Sequence, residues 1–318
     1  MGVLKLGDYL RLGEAELRKG AHPSSARNDA ELLLCNLLRK NRAWLLTNRQ
    51  ADLHRQQLEA YSQLLSRRQS GEPIQYILGE TEFYRLAIRV TPDVLIPRPE
   101  TEHLVEKAIQ LVPVFHPKSG KLFEVRKTKT GKARSLRREN SDGLGEAGWP
   151  PRVLDVGTGS GAIAISIAHD WPDAEITAID SSRAALNVAV GNATRLGYVD
   201  DIRFLQGDLL APVAGEQFEM IVSNPPYVAE TDRESLAVEV REYEPAIALF
   251  AGADGLAIYR CLIPEAHAAL VSGGYLLLEI GYGQSGAVGE LLDASGFDVI
   301  EFVPDLQGIP RVAVARRQ

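Results

Sequence analysis

The chain has 318 residues, 45% hydrophobic and 24% charged, proportions that fit a folded protein of about two domains and exclude disordered and fibrous classes. The net charge of −7 is uneven: residues 1–150 carry +7 and residues 151–318 carry −14, a poor surface for gripping a phosphate backbone. Two cysteines, Cys35 and Cys261, cannot form a disulfide framework, no apolar run approaches the roughly 18 residues of a membrane helix, and acids at Asp8 and Glu14 interrupt any leader, so a cytoplasmic protein is expected.

Residues 4–70 show helical periodicity. Leu4, Leu6, Tyr9, Leu10 and Leu12 precede a break at Gly20–Pro23. Ser24 and Ser25 are N-cap candidates for a second helix, in which Ala30, Leu33, Leu34, Leu37 and Leu38 repeat at helical spacing. A short third piece surrounds Ala43–Leu46, and a fourth spans about 52–69 until Gly71-Glu72-Pro73 stops it. Residues 1–72 thus read as a small helical-bundle domain. Residues 73–112 read as a hairpin and linker: two β-prone runs, Gln75–Leu78 and Glu82–Val90, flank Gly79, and LIPRPETE (95–102) leads into a helix opened by Thr101. Residues 113–150 are basic, aperiodic and poor in apolar groups, which predicts a flexible, solvated insertion.

From Arg152 strands and helices alternate. Strands are expected at 152–156, 175–180, 202–206, 218–223, 274–280, 297–303 and 310–315. Helices are expected at about 161–169, 182–196, 233–240, 255–271 and 284–295. This alternation predicts an α/β domain over 151–318, with a Rossmann-like, seven-stranded, mostly parallel sheet covered by helices on both faces. The short link between the last two strands requires one of them to run antiparallel.

The first of these strands carries Asp155 and ends in Gly157-Thr158-Gly159-Ser160-Gly161. Glycines let the backbone turn tightly and approach a ligand, but this spacing is neither the dinucleotide fingerprint nor a P-loop. Asp180, closing the second strand, is placed to take both hydroxyls of a ribose. Asp208, after the third strand, can accept from an adenine amino group, and Leu209 can pack on the ring. Acids at three successive strand ends converge on one crevice and favour S-adenosyl-L-methionine as ligand, with S-adenosyl-L-homocysteine as product.

The fourth strand runs directly into Asn224-Pro225-Pro226-Tyr227. Two prolines make this turn rigid and remove donors, so it presents acceptors: the Asn224 side-chain oxygen and the Pro225 carbonyl. Such a pair suits a planar NH2 group, whose lone pair it would orient toward a methyl group in line. Tyr227 offers a face for stacking. The residues point to methylation of a planar nitrogen without saying which one.

In order along the chain, a helical N-terminal domain, EPIQYILGETEFY (72–84), LIPRPETE (95–102), LDVGTGSGAIAI (154–165), SNPPY (223–227) and EYEPAIALFAGADGLAIYR (242–260) resemble the HemK/PrmC-type N5-glutamine methyltransferases. The resemblance implies a class I S-adenosylmethionine-dependent methyltransferase that methylates the glutamine of the Gly-Gly-Gln motif in class-one peptide chain release factors, modulating translation termination. It implies cofactor contacts from Gly157 to Gly161, Asp180, Asp208, Leu209 and Asn224. The glutamine amide would sit on Asn224, Pro225, Pro226 and Tyr227, and the helical domain would meet the release factor. Leu209 stands where the family often has an aromatic, and 113–150 replaces a usually short connection. A monomer without membrane or direct nucleic-acid contact is expected.

Two alternatives share the catalytic turn. One is a glutamine methyltransferase acting on a ribosomal protein; the other acts on a nucleic-acid amino group, as adenine-N6 enzymes do. The −14 catalytic half and the lack of a target-recognition domain after the turn stand against the latter. Neither a general base nor a metal is expected: an activated methyl needs alignment more than a base, and six scattered histidines lack ligand spacing.

Overall fold

The computed structural model describes residues 4–111 and 150–318, with the backbone of two further strands between them. Helices α1 (Leu6–Leu17), α2 (Ala26–Leu38), α3 (Arg42–Thr47), α4 (Arg55–Gln69) and α5 (Ile74–Leu78) come first. Strands β1 (Glu80–Phe83) and β2 (Leu86–Arg89) then form a hairpin, followed by helix α6 (Thr101–Gln110). Of the insertion expected over 113–150, Pro150 and two strands are described: β3 (Glu124–Lys127) pairs antiparallel with β4 (Ala133–Leu136). The flexibility and solvation expected of that segment lie outside the described residues. The alternating part follows as β5 (Arg152–Val156), α7 (Ala162–Asp170), β6 (Glu175–Asp180), α8 (Arg183–Leu196), β7 (Ile202–Gln206) and β8 (Phe218–Ser223). It ends with α9 (Val238–Tyr243), α10 (Ala257–Ala269), β9 (Leu270–Glu279), α11 (Ser285–Ala294), β10 (Phe297–Pro304) and β11 (Pro310–Arg317).

One compact unit consists of Met1–Thr81, Val90–Pro92 and Glu234–Glu244. Leu6, Leu10 and Leu17 of α1 pack with Ala26, Ala30, Leu33 and Leu34 of α2, and Leu45, Tyr61 and Ile77 close the core. Gly13 permits this approach, because a Cβ there would lie 2.2 Å from the Tyr61 hydroxyl oxygen. Arg68 and Asp29 form a buried ion pair, Nε to Oδ2 at 2.7 Å, that joins α4 to α2. Ser25 stands at the N-cap of α2, but its hydroxyl donates to this same Asp29 oxygen rather than capping the helix. Arg68 also donates to the Glu72 carbonyl at 2.8 Å and to Glu239 of α9 at 3.1 Å. The Tyr243 hydroxyl donates to the Ser70 carbonyl at 3.1 Å, so α9 is tied to the end of α4 from both of its ends.

Two expectations fail locally. Gln75–Leu78, expected as a strand, lies in helix α5. Pro73 holds φ at −54° at its start, and Gly79 ends it in the left-handed region at +81°. A short apolar run carries no period to separate helix from strand, and here the flanking Pro and Gly decide. The hairpin consequently lies later and turns at Tyr84-Arg85, whose φ values of +49° and +63° are those of a type I′ turn. The helix expected at 233–240 divides into a 3-10 turn, Glu230–Ser235, and α9.

The second unit, Glu82–Arg89, Asp93–Arg233 and Pro245–Gln318, is built on one seven-stranded sheet of order β10-β11-β9-β8-β5-β6-β7. Every neighbouring pair is parallel except the two that β11 makes, with β9 and with β10, as the short last link requires. Side chains alternate between faces with the period of two that strands impose. Val153, Ala178, Met220, Val222, Leu277, Val312 and Val314 meet Leu104, Val105 and Ala108 of α6 and Ile163, Ala164 and Ile167 of α7. Leu154, Val156, Ile179, Ile221, Leu276 and Leu278 meet Tyr259, Leu262, Ile263 and Ala266 of α10 and Val288 and Leu292 of α11. The same alternation puts Asp155 and Glu279 on the α6–α7 face, in the last row before the carboxyl edge. This is the fold that the resemblance implies, and the parallel strands β5 to β8 aim four carboxyl ends at one crevice.

Candidate active site

That crevice is a cavity of about 320 Å³ built wholly within the second unit. The glycine turn forms its floor. Gly157 and Thr158 both donate backbone N–H groups to the Ile179 carbonyl at 2.9 Å, which stitches the end of β5 to β6. Gly157 and Gly159 have φ of +74° and +56°, and a Cβ added to either would enter open space in the cavity. Gly161 differs: its Cβ would lie 3.1 Å from Ala189 and Ile165, so this glycine serves helix packing. The cradle a side chain would fill is the place a ligand occupies.

Asp180 lines the cavity at the end of β6. Its Oδ2 accepts from Gly159 N at 2.8 Å and its Oδ1 from Ser182 N at 2.9 Å, which aims the carboxylate while burial raises its pKa. Each oxygen keeps a lone pair for a ligand hydroxyl. Asp208 and Leu209 line the far side after β7. Leu209 has φ of +43°, a left-handed conformation that a γ-branched residue holds only under constraint from its surroundings. An acid for ribose, an acid and an apolar side chain for a base, and a glycine cradle fit the adenosyl part of S-adenosylmethionine.

Asp155 does not line the cavity. It lies fully buried beneath the turn, where its Oδ2 accepts from the Thr158 hydroxyl at 2.7 Å and from Ala164 N at 3.2 Å. Its Oδ1 has no partner among the described residues, and burial pushes its pKa up to about 7. Of the remaining expected cofactor residues, Thr158 and Ser160 line the cavity and Gly161 stands behind it.

The rigid turn after β8 brings Asn224, Pro225 and Pro226 to the cavity wall. Asn224 donates from Nδ2 to the Thr101 hydroxyl oxygen at 3.1 Å. Tyr227 lies behind the wall. Its hydroxyl donates to Glu279 Oε1 at 3.3 Å, and its carbonyl accepts from Gln284 Nε2 at 3.0 Å. Asp93, Val94, Leu95 and Pro97 add a lining from the linker, while Pro245, Ile247 and Ala248 close another side with Ile247 67% exposed.

Three side chains of the site escape a reading based on motifs. Asn192, fully buried on α8, donates to the Ser160 carbonyl at 2.9 Å and exchanges hydrogen bonds with both backbone groups of Arg89. Its signal was a lone amide among Ala185, Leu186, Ala189 and Ala193. Thr101 sits inside LIPRPETE, where it reads as a helix start. Glu279 ends a parallel strand, the same position that singled out Asp180, and was open to the same reasoning.

A family model described as "PrmC N-terminal domain" matches residues 8–79, and one described as "Methyltransferase small domain" matches residues 146–241. A "Release factor glutamine methyltransferase" of Koribacter versatilis is 40% identical over 94% of this chain and 94% of its own length. A protein of the same description from Escherichia coli K12 is 36% identical over 97% of both. Among solved structures, the hMettl16 catalytic domain in complex with the MAT2A 3'UTR hairpin 6 superposes with a TM-score of 0.51 at 15% identity, over 74% of this chain and 76% of that one, a likeness of fold.

Proposed function

The chain belongs to the release factor glutamine methyltransferases, and from that membership we propose which of its atoms perform the reaction. It is an S-adenosylmethionine-dependent enzyme that methylates a release-factor glutamine at the side-chain amide nitrogen. The glutamine is that of the Gly-Gly-Gln motif. Its NH2 group is held by Asn224 Oδ1 and the Pro225 carbonyl. The observation that carries this reading is the bond from Asn224 Nδ2 to Thr101, which occupies the amino end of the Asn224 amide and leaves the oxygen as an acceptor. Two acceptors satisfy both hydrogens of one NH2 group, fix its plane and direct its lone pair.

S-adenosyl-L-methionine, when bound, supplies a methyl group already activated by a sulfonium centre. Gly157 and Gly159 give it room, Asp180 takes the ribose hydroxyls, and Asp208 with Leu209 takes the adenine. Pro225 and Pro226 keep the acceptor pair from relaxing, because their φ angles are fixed and they bring no competing donor. Tyr227 ends the clamp as its brace, with the accessible part of its half-buried ring as a stacking face. No side chain acts as general base: the amide nitrogen becomes acidic only once methylated, and its proton can leave to water. The helical unit meets the release factor, and the enzyme works as a cytoplasmic monomer without nucleic acid, in keeping with the −14 charge of residues 151–318.

Peptide mass spectrometry of a class-one release factor incubated with the protein and S-adenosylmethionine tests this. One methyl group gained on the Gly-Gly-Gln glutamine is expected. An unmodified release factor, with cofactor binding demonstrated, would transfer the search to glutamines of ribosomal proteins.

A further inference from the structure

The amide clamp works only in one orientation. An asparagine side chain presents an acceptor or a donor according to which way its amide is turned, and the two differ by nothing except hydrogen-bond partners. Turned the wrong way, Asn224 would place its own NH2 against the substrate NH2. What fixes the direction therefore matters as much as the residue itself.

The partner of Asn224 is Thr101, 3% exposed at the start of α6. A hydroxyl can accept from one neighbour while it donates to another, so Thr101 alone chooses neither direction. Behind it stands Glu279, 1% exposed at the carboxyl end of β9, hydrogen-bonded by the Thr101 side chain and by the Tyr227 hydroxyl at 3.3 Å. Its Oε2 is buried without a hydrogen-bond partner among the described residues. An ionised carboxylate accepts and never donates. Thr101 must then give its hydrogen to Glu279, and its lone pair is left for Asn224 Nδ2. Protonated, Glu279 could donate to Thr101, Thr101 could donate onward, and the Asn224 amide would turn over.

Resting on the clamp reading above, we infer that Glu279 is a positioning residue that polarises the chain Glu279–Thr101–Asn224, and with it the Tyr227 hydroxyl, so that Asn224 faces the substrate with its oxygen. Glu279 does not itself line the cavity and reaches it only through Thr101, which does. Turnover accordingly requires Glu279 ionised. Burial pushes its pKa up to about 7, with Glu100 adding to that rise. The Thr101 and Tyr227 hydroxyls and the charge of Arg311 oppose it. Arg98 faces Tyr227, Tyr259 donates to the Glu279 carbonyl at 2.8 Å, and Asp305 holds Arg311 at 2.9 Å. Turnover falls as the medium is acidified through this window.

The test is the pH dependence of methyl transfer to release factor by the full chain and by Glu279→Gln, Thr101→Val, Thr101→Ser and Asn224→Ala, with kcat separated from KM. Glutamine keeps the shape of Glu279 but can donate, so E279Q should lose roughly 10–100-fold in kcat at about pH 8 while KM for S-adenosylmethionine is unchanged. The difference between its profile and the wild-type profile should contain one ionisation near neutrality, which separates Glu279 from Asp155. T101V, which cuts the chain at its middle, should match E279Q and lack the same ionisation. T101S, which keeps the hydroxyl, should retain at least about tenfold more turnover than T101V. Should E279Q fail to fold, the paired profiles of T101V and T101S decide on the same terms. Wild-type kcat and an unaltered acid limb in E279Q or T101V, with N224A inactive, would overturn the polarising role and leave the clamp standing. Full turnover in N224A would instead remove the clamp itself.

Discussion

The helical unit and the carboxyl edge of the sheet both bury acids, and they treat them oppositely. In the helical unit Asp29 is 2% exposed and paired with Arg68, and Glu31, 3% exposed, is met by Arg27 and Arg42 at 2.6 Å each. At the sheet edge Asp155 and Glu279 are 0% and 1% exposed, and neither forms an ion pair among the described residues. Hydroxyl and amide donors hold them, each keeps an oxygen without a partner, and both pKa values rise to about 7. A paired charge closes a structure. A buried acid held only by neutral donors opposes folding whenever it is ionised, and a fold retains such groups where they position something else.

The largest effect that sharpens this contrast lies on the catalytic side. Asn224→Ala should reduce methyl transfer by about a thousandfold or more while leaving thermal unfolding unchanged, because the clamp contributes acceptors and little packing. Release-factor mass spectrometry and a melting curve read the two together. On the structural side Arg68→Ala should do the reverse. It leaves Asp29 buried and unpaired and should cost about 3–5 kcal/mol in a denaturant titration. Replacing both partners, Arg68→Met with Asp29→Leu, should recover most of that loss; no recovery would mean that the arginine holds the unit through Glu72 and Glu239 rather than through the ion pair.

Asp155 supplies a pH test. Its folded pKa stands above its ordinary value of 3.8, so its stabilising contribution is complete below about pH 4 and is lost as pH rises through 7. Asp155→Asn, which cannot ionise, should therefore be more stable than the wild type at pH 8 by on the order of 4 kcal/mol, with the difference vanishing below about pH 4. Equal stability at both pH values would place Asp155 with the paired acids after all. The smallest effect belongs to the cradle: Gly159→Ala forces a left-handed alanine and sets a methyl group in the cavity, so calorimetry should find S-adenosylmethionine bound roughly tenfold more weakly.

Which parts were legible follows from the range over which the physics acts. Strands β5 to β8 match their expected limits residue for residue, because period-two burial and turn residues are local signals. That one of the last two strands runs antiparallel was legible from the length of one link, though not that it is β11. Gln75–Leu78 was misread because its helix depends on Pro73 and Gly79 rather than on any pattern inside it. Asp155, Asp180 and Asp208 were found through one rule about strand ends, and Asp180 and Asp208 line the cavity while Asp155 lies beneath it; Asn224 was found through the proline turn and lines the cavity too. Glu279 stands at a strand end, where the same rule applies, but its meeting with Thr101 on α6 and Asn224 after β8 joins residues far apart in the chain, a coincidence no local pattern records. Tyr227 was read for its ring, but its hydroxyl is what the structure engages, on Glu279.

The closure of the helical unit by α9 bears on how the protein is made. Arg68 and Glu239 are 171 positions apart, and strands β5 to β8 are synthesised between them. At common translation rates the helices up to α5 emerge on the order of ten seconds or more before Glu234–Glu244 reaches them. During that interval Arg68 has Asp29 and the Glu72 carbonyl but not Glu239, and the nascent bundle lacks its last piece. A fragment ending at Thr81 would remain in that state permanently, so the helical unit cannot be excised at a single peptide bond without leaving part of itself behind.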